Sequence, residues 1–289
     1  MKKRKKKWYV IFLLILFLII ELVVSNKVIT VRENVIKSSQ IPASFNDFKI
    51  LQISDLHSEE FGKANRRLLR AIDRQDPDII AITGDMINRR ERNYRVFDDM
   101  VAALAEKYPI YYIVGNHEQN LQEETLAEML DHLENLGVQV LDNEKTSIEK
   151  EGEAINLYGL WFHLRYYRDL SNEYTEDYYF GKKQIKQILG EAEKEDFNIL
   201  LTHNPVYFDT YSSWGADLTL SGHMHGGMVR IPFKGGLFSP EQELFPKYDG
   251  GVYKDGSNTM IVSRGLGRGR AGFRFFNRPE LVVITLKSF

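Results

Sequence analysis

Five of the seven histidines in this chain of 289 residues follow directly on short apolar runs. The runs are KILQIS ending at Ser54, DIIAITG ending at Gly84, IYYIVG ending at Gly115, NILLT ending at Thr202 and DLTLSG ending at Gly222. After them come Asp55-Leu56-His57, Asp85, Asn116-His117-Glu118, His203-Asn204-Pro205 and His223-Met224-His225. Histidines scattered at random would seldom fall this way, whereas a site built along a sheet edge requires it. With no cysteine in the chain, thiolate metal sites, disulfides and cysteine nucleophiles are excluded. Carboxylate and amide oxygens combined with neutral imidazoles suit Mn²⁺, Fe²⁺ or Zn²⁺ better than Mg²⁺, which prefers an all-oxygen shell. So many ligands exceed what one ion takes. Two divalent ions about 3.5–4 Å apart, bridged by a carboxylate and a water, would use them and clamp both oxygens of an in-line displacement, with a hydroxide available near neutral pH. Mn²⁺ or Zn²⁺ is the first choice of ion.

Elements that position these groups can be read from the same runs. Their richness in Ile, Val and Leu is that of strands covered on both faces, and ligand sites in such sheets lie at the carboxyl ends of the strands. All five polar endings are therefore expected along one edge. Helix-period segments at 64–74, 94–107, 125–136 and 182–194 separate most of the runs. Strand-like pieces at 145–149, 154–160, 251–253, 260–263 and 281–286 look antiparallel and suggest a second sheet packed on the first. The expected class is α/β, two packed mixed sheets flanked by helices. Residues 161–180, rich in aromatics, fit neither period and read as a surface excursion.

The first seven residues, MKKRKKK, carry six positive charges, and residues 8–24 are apolar but for Glu21. At the helical rise those seventeen residues span roughly 25 Å, enough for a thin bilayer. The chain is thus expected to be a single-pass protein of the cell membrane. Its basic residues 1–7 stay in the cytoplasm, residues 8–24 cross, and the catalytic domain lies outside the cytoplasm; cleavage near Ser25 is the alternative. Residues 25–46 form a juxtamembrane segment with an alternating edge strand, and with no repeat or low-complexity linker beyond them, 47–289 reads as one domain. Net charge is −2, but outside the tail 32 basic side chains face 40 acidic ones, a balance of −8. That disfavours nucleic acid as a partner, while the tail suits anionic lipid.

The ordered series Asp-x-His, Gly-Asp, Gly-Asn-His-Glu, His and Gly-His-x-His over 50–225 resembles the calcineurin-like metallophosphoesterases. The wording ISDLH, TGD, GNHE, SGHMHGGMVRIP and SRGLG is similar to the membrane-associated bacterial phosphoesterases of that superfamily, which include lipid-precursor pyrophosphatases. This resemblance implies an α/β/β/α sandwich in which Asp55, His57 and His225 hold one metal and Asn116, His203 and His223 the other, with Asp85 bridging. It also implies that His117 contacts the phosphoryl group and protonates the leaving group, a role in keeping with a histidine spared from ligation. Gly84, Gly115 and Gly222 are expected to let the backbone turn sharply. Two positions depart from the pattern. In GDMINRR, Asn88 stands where protein phosphatases of the superfamily carry a second Asp, and Met228 replaces a usual Gln.

Arg264, Arg268 and Arg270, in a stretch that continues to Arg274 and Arg278 among glycines, could bind a second anionic group of the substrate; a solvated basic loop is the plainer reading. His132 is expected to face solvent, and His163 has no assigned role. The expected activity is hydrolysis of a phosphoester or pyrophosphate bond in a small-molecule, envelope or lipid-linked substrate. The alternatives are a nucleotide or nucleic-acid phosphodiesterase, and a membrane-tethered module that only grips metal or lipid.

Overall fold

A computed structural model describes residues 2–89, 94–168, 178–269 and 272–289. It begins with helix α1 (Lys2–Lys27), whose apolar stretch is almost uncovered by the rest of the chain. The remainder folds as four layers. In the first sheet four parallel strands lie side by side: β2 (Lys49–Ile53), β3 (Ile79–Ile82), β4 (Ile110–Tyr112) and β5 (Val138–Val140). The second sheet contains β6 (Lys145–Lys150), β7 (Glu153–Leu160), β8 (Asn198–Thr202) and β9 (Leu218–Ser221). A short hairpin, β10 (Arg230–Ile231) with β11 (Gly235–Gly236), stands apart from both. The chain then adds β12 (Gly251–Asp255) and β13 (Asn258–Val262) to the second sheet. It finishes with β14 (Glu280–Lys287) in the first, antiparallel to β2 and parallel to the edge strand β1 (Thr30–Lys37).

Strand parity explains the layering. Ile50 and Ala81 face inward, meeting Ile155, Leu157, Ile199, Leu201 and Leu220 of the second sheet in one apolar layer. Their neighbours Leu51, Ile53, Ile80 and Ile82 face outward beneath α2 (Arg66–Asp73), α3 (Arg95–Ala105) and α4 (Glu123–Asn135), which bury Leu68, Ile72, Phe97, Met100, Leu104, Met129 and Leu133. On the far side Tyr158, Leu160 and Leu200 pack under α5 (Lys182–Leu189) and α6 (Phe208–Trp214). The expected α/β/β/α architecture is present.

One expectation needs correcting. The five ligand-bearing runs do not share a sheet: three end β2, β3 and β4, and two end β8 and β9. Strand β14, grouped above with the second sheet, belongs to the first. A strand covered on both faces carries no mark of which sheet it joins, so composition could not sort them. The aromatic excursion packs on the outer face of the second sheet, where Phe162 stacks on Phe180 with centroids 4.3 Å apart and Tyr167 is buried; residues 169–177 lie outside the described part.

Candidate metal centre

The carboxyl ends of β2, β3 and β4 in one sheet abut those of β8 and β9 in the other, and the side chains that follow converge there. The backbone beyond β2 pairs with that beyond β3, with Asp55 N donating to Gly84 O at 3.0 Å and His57 N to Asp85 O at 3.1 Å. Five of the implicated residues, Asp55, His57, Asp85, His223 and His225, have φ between 47° and 66°. Each such non-glycine residue costs about 1–2 kcal/mol, a strain that the two sheets hold in place to turn the side chains inward.

The glycines serve two different ends. Gly84, at φ 84°, makes the sharp turn expected of it. Gly115 and Gly222 do not have positive φ; they are needed because a Cβ would lie 2.3 Å from Asp85 Oδ1 and 1.9 Å from Ser54 Oγ, respectively.

Two groups of buried ligand atoms form around Asp85. Asp55, His57, Asp85 and His225 make one, and Asp85, His203 and His223 the other, with the atoms of each group within 4.8 Å of one another. In the first, His57 Nε2 and His225 Nε2 are 3.0 Å apart, 3.7 Å from Asp85 Oδ2 and 3.5 Å from Asp55 Oδ1, respectively. In the second, His203 Nε2 lies 3.2 Å from Asp85 Oδ2. Its Nδ1 is 2.7 Å from the Thr83 carbonyl, an arrangement that fixes the tautomer and leaves Nε2 as a ligand. His223 Nε2 is held by Glu241 at 2.6 Å, which leaves Nδ1 for a metal. Asn116 is buried on the turn after β4, whose Gly115 abuts Asp85. On the same turn His117 N donates to Asp85 Oδ1 at 2.8 Å. His117 Nε2 is 3.9 Å from Asp85 Oδ2, while its Nδ1 accepts from Arg89 N at 3.3 Å.

The electrostatics are those of a cation site. Burial, reinforced by His117, holds His57 well below the ordinary imidazole range. Burial, with neighbouring His57 and Arg274, does the same to His225, so both rings favour the neutral form that a metal ligand needs. Burial raises Asp55, and Asp85 adds to the rise against the pull of His203. At Asp85 burial is overcome by His203 and His117, which hold the carboxyl well below its usual range. At His203, likewise, burial is outweighed by Asp85 and Asp55, raising the ring to about 10. A buried proton thus sits where two carboxylates call for positive charge, and a divalent ion would replace it. His57 Nδ1 and His225 Nδ1 are buried without hydrogen-bond partners, and His203 Nε2 has the Asp85 carboxylate beside it. Together with the nitrogen and oxygen donor set, this fits divalent metal ions.

Several supports were not legible as site residues. Glu118 is fully buried and accepts from the N–H groups of Asp85, Met86, Ile87 and Gly115 at 2.7–3.2 Å, tying together the turns after β3 and β4. Burial and the Asp85 charge push it up to about 7. Ser54 donates to Asp55 Oδ2 at 2.5 Å. Glu241 accepts from Asn204 Nδ2 at 3.0 Å and Arg168 N at 2.8 Å besides holding His223. The signal for Glu118 was its place in GNHE; none existed for Glu241, which lies in an irregular segment. Asn88 donates to the His57 carbonyl at 3.0 Å.

Two of the three arginines expected near the substrate, Arg264 and Arg268, have protein carboxylates as partners. Arg264 is paired with Glu280 through Nε at 2.6 Å and a terminal nitrogen at 2.5 Å, and Arg268 with Glu59 at 2.7 Å. A guanidinium clustered with others among glycines draws protein carboxylates as readily as substrate, and sequence spacing does not reveal the partner. Arg274 is fully buried, donating to the carbonyls of Gly267 and Arg264 at 2.7 and 2.8 Å. Arg270 lies outside the described residues. His132 faces solvent, and His163 Nδ1 accepts from Arg165 N at 3.2 Å.

A family model for calcineurin-like phosphoesterases matches residues 48–227, a span that includes all eight converging residues from Asp55 to His225. The chain belongs to that family and is a metal-dependent phosphoester hydrolase. It is 29% identical over 261 residues to the metallophosphoesterase YkuE of Bacillus subtilis, covering 89% of this chain and 85% of that one. To YkoQ of the same organism it is 27% identical, covering 80% and 81%. To the phosphodiesterase YaeI of Escherichia coli it is 28% identical, covering 83% and 82%.

Proposed function

We propose that this chain is a membrane-anchored enzyme that hydrolyses phosphoester or pyrophosphate bonds of envelope or lipid-linked substrates with two divalent ions. The observation that carries this reading is the position of Asp85, whose carboxylate belongs to both buried ligand groups. In this assignment Asp55, His57 and His225 hold one ion, Asn116, His203 and His223 the other, and Asp85 is shared. Mn²⁺ or Zn²⁺ suits that donor set. Such ions would supply the Lewis acidity that polarises a phosphoryl oxygen and makes a bound water more acidic.

The remaining chemistry falls to the chain. His117 is assigned the proton for the leaving group. The ring atom on the Asp85 side is Nε2, so the imidazolium form is assigned to release its proton from there and to be left as the neutral ring. Glu118 keeps Asp85 and the turn bearing Asn116 and His117 in register, and Glu241 fixes the tautomer of His223. α1 is assigned as the membrane span, with its basic start in the cytoplasm and the catalytic domain outside. YaeI, named a phosphodiesterase, supports a diester as the first substrate to try. The test is turnover of an aryl phosphodiester by the full chain in Mn²⁺ and its loss on chelation; a chain that binds the ions but turns nothing over is a binding module instead.

A further inference from the structure

The carboxyl end of α1 is built into the catalytic domain. Ser25 is fully buried, and its hydroxyl accepts from Asn277 N at 3.2 Å. Asn26 meets the backbone of Arg274 twice, Nδ2 donating to the carbonyl at 2.8 Å and Oδ1 accepting from the N–H at 2.9 Å. Lys27 pairs with Glu59 at 3.2 Å, and Arg67 donates to the Lys27 carbonyl at 2.6 Å. Helix and domain are therefore held in one fixed orientation by several bonds at a single junction.

The loop that receives the helix, 272–278, also runs down its side. Phe276 packs on Phe275 at 4.6 Å and meets Phe17 of α1 with ring centroids 6.3 Å apart. Phe17 precedes Ser25 by eight residues, about 12 Å along a helix, so this ring reaches well into the apolar run that the protein leaves uncovered. Phe273 on the same loop is 46% exposed. Exposed cationic side chains adjoin the loop: Arg278 lies in it, Arg268 reaches the Gly272 carbonyl at 3.5 Å, and Lys27 ends the helix that it receives. Aromatic rings beside a spanning segment with cations close by in the chain form the pattern of a membrane interface, in which cations meet anionic head groups.

From this we infer that loop 272–278 is a membrane-docking element, sinking Phe273 and Phe276 into the lipid that α1 enters and seating the catalytic domain flat on the bilayer. The inference rests on the reading of α1 as a membrane span. Its occupant is lipid because a ring packed against Phe17 shares whatever medium surrounds that helix. The same loop reaches the metal centre: Asn277 Nδ2 donates to the His225 carbonyl at 2.7 Å. The site therefore sits close to the head-group layer, where it meets phosphoesters carried on lipids before those free in solution.

The absence of cysteine allows a clean test with the full chain. Phe17→Cys, Phe273→Cys, Phe276→Cys and, on exposed α4, Glu134→Cys are each labelled with an environment-sensitive fluorophore. The proteins are reconstituted in phosphatidylglycerol and phosphatidylethanolamine vesicles with or without brominated acyl chains. Labels at 17, 273 and 276 should lose fluorescence in brominated vesicles while that at 134 does not; reading 273 and 276 in parallel guards against one variant misfolding. Quenching at 17 with none at 273 or 276 overturns the docking element and leaves the span intact. No quenching at 17 removes the span, and the docking element with it.

Discussion

Replacing Gly222 with Ala isolates close approach from backbone strain. A Cβ there would lie 1.9 Å from Ser54 Oγ and 2.3 Å from Asp55 Oδ2, where ordinary contacts begin at about 3.5 Å, so something must move by more than an ångström. Ser54 can rotate away, but Asp55 cannot without leaving the ligand group it shares with His57, Asp85 and His225. Overpacking of this kind costs about 1–3 kcal/mol, which lowers the melting temperature by roughly 2–12 °C in a domain of this size. A misplacement of 1 Å at a reacting centre costs about 10²-fold in rate, so the loss of activity should far exceed the loss of stability. Gly137→Ala is the control. Its φ is 88° with nothing within 4 Å of the added Cβ, so it should cost about 1–2 kcal/mol of strain and leave metal and rate untouched. Adding Ser54→Ala to Gly222→Ala should not rescue, since the Asp55 contact remains. Calorimetry, metal analysis after gel filtration and turnover of an aryl phosphodiester read all three quantities. A Gly222→Ala protein with full metal and wild-type rate would refute the reasoning.

The other substitutions and titrations separate the roles within the centre. His117→Ala should keep its metals and slow turnover by about 10²–10⁴, with a smaller defect for a nitrophenyl ester than for an alkyl ester; equal slowing of both, or lost metal, would show His117 acting otherwise. Since His203 is raised to about 10, metal binding at pH 7 should release about one proton from it, measurable by calorimetry in buffers of different ionisation enthalpy. The same shift gives a sign for the metal-free fold. Its folded value lies above the ordinary 6.5, so the His203–Asp85 pair stabilises fully below that pH and is lost as pH rises through about 10. A metal-free melting temperature that does not fall over that window would contradict the pairing. Glu241→Ala should weaken metal binding by about 10–100-fold, with Glu241→Gln weakening it less if an acceptor for His223 suffices; equal affinities in all three proteins would remove its orienting role.

The convergence of these side chains was legible because they follow apolar strands in short, punctuated blocks, which parity and β-propensity expose directly. The sandwich was legible too, as Ile50, Leu51 and their neighbours are apolar on both faces and helix-period segments lie between them. What could not be read was the division of strands between sheets, since an Ile-rich run reports burial and not its neighbour. The reason for Gly115 and Gly222 was also hidden. A close approach by Asp85 or Ser54 comes from the other side of the fold, whereas the turn at Gly84 is local. The partners of Arg264 and Arg268 were hidden for a related reason, because Glu280 and Glu59 lie 16 and 209 residues from them in sequence. Helix α6 went unmarked, its seven residues being too short to establish a period.

Titrating metal-free chain with Mn²⁺ while following turnover of an aryl phosphodiester tests most directly whether two ions share Asp85. Wild-type protein should bind two equivalents and reach full activity only with the second, while Asp85→Ala should lose both tight binding and turnover, because the shared carboxylate serves both ligand groups. Full activity at one equivalent, or an Asp85→Ala protein that still binds two ions and turns over normally, would contradict that sharing.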